Sequence, residues 1–121
     1  MTDNLRPRFK LWLSTEDSEG AFGDGKWRLL DAIGRGRSLR AAATELGISY
    51  RKAWGDLKKA ERCLGIALLE KHRGGRGGGE TTLTNAGKAW LRGYSDFRSD
   101  VQKAVSSAFE QHIINLHWRE S

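Results

Sequence analysis

Residues 38–54 read Ser-Leu-Arg-Ala-Ala-Ala-Thr-Glu-Leu-Gly-Ile-Ser-Tyr-Arg-Lys-Ala-Trp, and their punctuation decides the fold. Ser38 is a natural N-cap, because its hydroxyl oxygen can accept from a free amide of the first turn. Leu39, Ala42, Ala43 and Leu46 then recur at the spacing of one helical face. Gly47 follows at once, the residue type that most readily takes the left-handed conformation ending a helix. Ile48 can turn into the core, and Ser49 can cap a further helix from Tyr50 to about Leu64. Two helices joined by so short a glycine turn predict a helix-turn-helix.

On a wheel of about 100° per residue, Tyr50, Ala53, Trp54, Leu57 and Ala60 of the second helix share one side. Arg51, Lys52, Lys58, Lys59 and Arg62 share the other, with Gly55 among them. Tyr50 and Trp54 are expected to pack on the core, since a stacking platform for bases must be exposed. Gly55 is costly in a helix by about 1 kcal/mol relative to alanine. At an exposed position it suits close approach to a phosphate or a groove wall. A helix that buries one stripe and offers a cationic one fits the major groove of duplex DNA, where Arg and Lys can donate to guanine. Ser49, Tyr50, Arg51 and Lys52 stand at its N-terminus, where bases are usually read. Lys58 and Lys59 stand farther along, toward the DNA backbone, and Ser38 tops the neighbouring helix.

Downstream, Leu68–His72 reads as a strand and Thr81–Leu83 as its return. Between them, residues 74–79 hold five glycines and Arg76, so they form a loop. A hairpin with a glycine tip carrying Arg73 and Arg76 predicts a wing able to reach a minor groove or backbone. It is no nucleotide-binding P-loop, because Glu80 and a strand follow Gly79 where Lys, Ser or Thr and a helix are required. Thr84 or Asn85 caps a last helix reaching toward Ile113. Along it, Trp90, Tyr94, Phe97, Val101, Ala104 and Ala108 follow the alternating four- and three-residue spacing of a coiled-coil seam. This seam, widened by Val105, Phe109 and Ile113, predicts a homodimer interface.

Upstream, Phe9, Leu11 and Leu13 alternate and predict a short strand, with Ala21-Phe22 pairing back to it. Asp24 or Gly25 is expected to cap a helix from about Lys26 to Ile33, carrying Trp27, Leu30 and Ile33 on its apolar side. Gly34-Arg35-Gly36 ends it. The whole predicts one domain over 1–121, mainly α with a small β-hairpin wing. Core and wing occupy 8–83 and a long dimerisation helix 84–115.

The charge distribution agrees. The net charge is +6. Residues 49–79 carry 8 Lys/Arg against 3 Asp/Glu, a net of +5, whereas 1–48 carry 8 against 7 and 80–121 carry 5 against 5. A local excess of this kind marks a polyanion partner. One cysteine, Cys63, excludes an intramolecular disulfide and suits a reducing compartment. No apolar run approaches the roughly 20 residues of a membrane span. Met1-Thr2-Asp3-Asn4 lacks the pattern of a signal peptide. A cytoplasmic protein without membrane contact is therefore expected.

Ser38 to Trp54 resembles the helix-turn-helix of ModE-type molybdate-responsive transcription regulators. Leu69-Glu-Lys-His-Arg-Gly-Gly-Arg-Gly-Gly-Gly79 resembles their wing, and Thr82-Leu-Thr-Asn-Ala-Gly87 the start of their last helix. LysR-type regulators share a looser version. The resemblance covers about residues 8–110 and implies a winged helix-turn-helix in a homodimer that clamps a palindromic duplex site. Regulators of the ModE type also carry C-terminal oxyanion-binding domains, for which residues up to Ser121 leave no room. No molybdate binding is therefore expected of this chain.

Enzymatic readings find little to stand on. His72, His112 and His117 have no metal-ligand spacing with Cys63 or each other, no acidic cluster suits two-metal chemistry, and no cofactor is expected. Two other readings come from different classes. An RNA-binding winged helix would prefer hairpin or single-stranded RNA. A partner subunit modulating a larger regulator through its last helix would bind DNA weakly alone.

Overall fold

The computed structural model describes residues 4–17, 19–72 and 80–116. A short hairpin opens the fold: β1 (Trp12–Ser14) pairs antiparallel with β2 (Gly20–Gly23), Leu13 opposite Phe22. Three helices follow, α1 (Asp24–Gly34), α2 (Leu39–Leu46) and α3 (Tyr50–Leu64). A second antiparallel hairpin comes next, β3 (Leu69–His72) and β4 (Glu80–Leu83), with Leu69 opposite Leu83 and His72 opposite Glu80. The chain ends in a long helix, α4 (Asn85–Phe109), extended by a π-helical turn over Glu110–Ile114.

The turn between α2 and α3 is built as the sequence predicts. Ser38 Oγ accepts from the Ala41 amide and Ser49 Oγ from the Lys52 amide, each at 3.0 Å. Gly47 stands at φ +72°, a left-handed conformation that L side chains rarely adopt. There its amide donates to the Thr44 carbonyl and the Ile48 amide to the Ala43 carbonyl. Both bonds satisfy carbonyls that the end of α2 would otherwise orphan.

The core lies where α1, α2 and α3 meet under the hairpins. Phe22, Leu29, Leu30, Leu57 and Leu68 are its largest fully buried side chains, each contributing about 1.5–3 kcal/mol by leaving water. The facing sides of α2 and α3 offer Ala42, Ala43, Ala53 and Ala60, all buried, so the two helices can approach closely. This fixes α3 with its opposite side turned outward.

The first strand begins later than its alternation suggests. Leu11 and Leu13 do pack on the core, but strand pairing starts at Trp12. Backbone groups of Leu11 are taken elsewhere: its amide donates to the Asp24 carboxylate and its carbonyl accepts from the Asp24 amide. Asp24 is likewise not the cap of α1. It is the first helical residue, the position before it is Gly23, and no side chain caps the helix. The Asp24 carboxylate instead joins three elements. It holds the Leu11 amide, the Tyr94 hydroxyl of α4 at 2.9 Å and the Arg98 guanidinium at 2.8 Å. Burial opposes the charged carboxylate, but the bonds from Arg98, Leu11 and Tyr94 outweigh it and hold its pKa below the ordinary range. The same burial, with Asp24 beside it, pushes the Tyr94 hydroxyl well above its usual value.

Candidate nucleic-acid interface

The outward side of α3 is centred on Gly55. A Cβ built there meets nothing within 4 Å. Arg51 and Arg62 flank it, both exposed and without an ion pair among the described residues. These three positions form an open ridge of two free guanidinium groups around a bare stretch of backbone.

The lysines on its shoulders are held by carboxylates. Lys52 pairs with Asp56 at 3.2 Å, one turn along α3, and Lys58 with Glu61 at 3.0 Å. Lys59 reaches across to Glu19 in the β1–β2 turn at 3.4 Å. The Lys52–Asp56 and Lys59–Glu19 pairs are half-exposed and worth little in stability, so a phosphate can displace either carboxylate. Glu61 is only 12% exposed, and without Lys58 its charge rests on the Leu68 and Leu69 amides. Tyr50 and Trp54 are half-buried and pack on the core, as expected. Their outer ring faces are covered by cations: Arg40 lies 4.3 Å above Tyr50, and Lys58 and Lys71 lie 5.2 and 4.9 Å from Trp54. Trp54 thereby joins α3 to β3 through Lys71.

Glu61 is the contact that the wheel of basic residues hides. Its carboxylate accepts from the amides of Leu68 and Leu69, at 2.7 and 3.0 Å, while also holding Lys58. It straps the root of the wing to α3. Burial works against its charge, but the Leu69 and Leu68 amides and the Lys58 ammonium prevail and lower its pKa. The sequence does carry one signal of this. An acidic residue in the last turn of a helix opposes the helix dipole, so it needs a local partner.

Strand β3 is tied to α3 through Glu61 and Lys71, its partner β4 packs against α1 and α4, and His72 Nε2 is hydrogen-bonded to Thr82 Oγ1 at 2.8 Å. Arg73, Arg76 and the glycine tip lie outside the described residues. Ser38 and Ser49 are engaged as helix caps, leaving their hydroxyl protons to donate outward. Among the described residues, no group of three or more His, Cys, Asp or Glu is placed to hold a metal ion. No described helix is long and apolar enough to cross a membrane.

The predicted seam on α4 divides in two. Tyr94 is only 3% exposed and sits among the rings of Phe22, Trp27 and Phe97. Trp90 packs edge-on against Phe22 at 5.4 Å. These two close the chain's own core, because heptad spacing does not distinguish a core neighbour in the same chain from one in another. Beyond them Phe97 is 44% exposed, Ala104 and Ala108 are exposed, and Val101 is half-buried.

Comparison with known proteins places these features in context. Residues 25–88 match the bacterial regulatory helix-turn-helix proteins of the lysR family. The chain is 35% identical over 98 residues to the molybdenum-pterin-binding protein MopB of Rhodobacter capsulatus, covering 81% of this chain and 36% of that protein. It is 33% identical over 89 residues to the DNA-binding transcriptional dual regulator ModE of Escherichia coli strain K12, covering 74% of this chain and 34% of the relative. Over 58 residues it is 47% identical to the molybdenum transport protein ModE of Herbaspirillum seropedicae, covering 48% and 22%. The chain thus spans about a third or less of the length of these curated relatives.

Proposed function

Because the chain belongs to the lysR family of bacterial regulatory helix-turn-helix proteins, we propose that it acts as a sequence-specific, DNA-binding transcription regulator. In this reading α3 enters the major groove with its N-terminal turn toward the bases. Arg51 reads base edges, Lys52, Lys58 and Lys59 exchange their carboxylates for phosphates, and Ser38, Ser49 and Tyr50 donate to the backbone at the edges. The wing tip, with Arg73 and Arg76, follows the adjacent minor groove or backbone. Two chains pair through the distal part of α4, so the operator is a palindrome with half-sites about one helical turn apart, or a multiple of that.

One observation carries the reading: the only glycine inside α3, Gly55, lies at the centre of the outward face between two free arginines. A side chain there would hold the helix axis off a groove floor, and its absence lets backbone and guanidinium groups approach together. The test is selection of a preferred duplex from a randomised pool, followed by titration of that duplex and of random DNA. Arg51→Ala should cost about 1–3 kcal/mol for each base edge that the guanidinium reads, shrinking the affinity ratio between the two duplexes. An unchanged ratio removes Arg51 from base reading, and no preferred duplex at all removes sequence specificity.

A further inference from the structure

The sequence assigns residues 1–48 almost no net charge, yet the structure engages carboxylates of this segment in ion pairs that leave several of its cations unpaired. Asp24 is taken by Arg98, Asp31 by Arg35, Glu45 by Arg37 and Glu19 by Lys59. Arg8, Lys10, Lys26 and Arg28 have no ion pair among the described residues. All four line a single open groove of about 1030 Å³, between the segment before β1 and the first turns of α1. Lys52 and Ile48 line the same groove, so it runs into the N-terminal shoulder of α3 without a break; its two carboxylates, Asp24 and Asp56, are engaged by Arg98 and Lys52.

The groove wall is fixed before anything binds. The Leu11 amide and carbonyl are both bonded to Asp24, and the Tyr94 hydroxyl also donates to the Leu11 carbonyl at 3.0 Å. Arg98 is stacked between the rings of Phe9 and Trp27, at 4.8 and 4.9 Å. The segment carrying Arg8 and Lys10 is thereby held against α1 and α4, so on meeting an anion only its exposed side chains need to be ordered, not its backbone.

We infer that this groove is a second phosphate-binding track, which takes the DNA backbone flanking the half-site that α3 reads. Charge complementarity selects a polyanion, and continuity with Lys52 selects the duplex already lying on α3. The inference rests on the proposed DNA-binding reading and extends it to residues outside the helix-turn-helix and wing.

The test uses the whole chain and a 30-base-pair duplex of mixed sequence, since phosphate contacts are independent of sequence. Each phosphate contact contributes about 0.9 to the slope of log affinity against log salt. Replacing Arg8, Lys10 and Lys26 together by Ala should lower that slope by about 2.7. The fall in affinity between 50 and 200 mM salt then shrinks by roughly 40-fold. A matched variant, Lys88→Ala, Arg92→Ala and Lys103→Ala, removes the same charge from exposed positions of α4 and should leave the slope in place. Lys10→Arg with Lys26→Arg keeps the charges and should keep the slope. If the groove variant matches wild type, or both triple variants fall equally, the track is refuted. In the first case the groove's cations belong to some other acidic partner, such as a protein segment. If the wild-type chain itself shows no salt-dependent duplex binding, the DNA reading fails before the groove is tested, and the inference falls with it.

Discussion

Removing the Glu61 carboxylate should loosen the wing and destabilise the fold together. In Glu61→Ala, the amides of Leu68 and Leu69 lose an acceptor that now sits 2.7 and 3.0 Å away. Leu68 is fully buried, Leu69 is 8% exposed, and the Glu61 side chain is 12% exposed, so water replaces the carboxylate poorly. An amide left without an acceptor costs about 1–3 kcal/mol. With partial hydration the loss should be about 3 kcal/mol in all, and at about 4 °C per kcal/mol the melting temperature should fall by about 12 °C. Glu61→Gln keeps an acceptor oxygen without the charge and should lose roughly half as much. The pH dependence has a definite sign. A carboxylate whose folded-state pKa is depressed contributes fully above its ordinary value, near 4.3 for glutamate, and loses that contribution as the pH falls through the folded-state value. Thermal unfolding followed by circular dichroism should therefore show a gap between wild type and Glu61→Ala that is full at pH 7 and narrows below about pH 4 toward the gap between Glu61→Gln and Glu61→Ala, because the protonated carboxyl still offers a neutral acceptor. Equal melting temperatures at pH 7, or a gap that persists unchanged into acid, would refute this account of the strap.

Gly55→Ala should raise stability by up to about 1 kcal/mol, because its site is open, while weakening duplex binding; a gain in both removes the close-approach argument. Gly87→Ala should do the opposite, since its Cβ would meet the Leu68 carbonyl oxygen, and an overpacking cost of about 1–3 kcal/mol should appear as a lower urea midpoint. Arg98→Leu should cost about 2–3 kcal/mol, near the lower end for a broken, largely buried ion pair, and should flatten the loss of stability as the pH falls through the depressed Asp24 pKa. An unchanged acid profile would show that Asp24 draws its low pKa from Leu11 and Tyr94 alone. In sedimentation equilibrium, wild type should show twice the 13.5 kDa chain mass and Phe97→Glu with Val101→Glu the chain mass; a wild-type mass of 13.5 kDa ends the dimer proposal.

What the sequence makes legible here is local. Ser38, Gly47 and Ser49 act on neighbours within a few residues, so their motifs locate α2, the turn and the start of α3 almost to the residue. The glycine tip similarly announces a hairpin. Asp24 defeats the same reasoning. At the start of a helix it has the form of a cap, but its partners stand 13, 70 and 74 residues away in sequence. The Phe9–Leu13 alternation fails for a related reason: it reports which side chains face inward, not which backbone groups find a strand partner. Charge shows this limit most clearly. Counting along the chain finds the excess on 49–79, but the lysines of α3 are largely occupied, whereas the apparently balanced 1–48 hides four cations gathered on one groove.

The last helix shows how one periodic pattern can carry two physical loads. From Trp90 to Tyr94 its apolar side completes the core beneath Phe22, and Arg98 marks the boundary by binding Asp24 and stacking between Phe9 and Trp27. From Phe97 to Ile113 the same face continues for about 25 Å at 1.5 Å per residue, with Phe97 and Ile113 at 44% and 40% exposure. A monomer gains nothing from so long an apolar extension, which is why the proposed dimer is placed there and not on the whole seam. In that dimer, the Asp24–Arg98 contact would be the joint between the pairing helix and α1, on which α3 packs. The separation of two recognition helices would then depend on a buried ion pair within each chain as much as on the apolar contact between them.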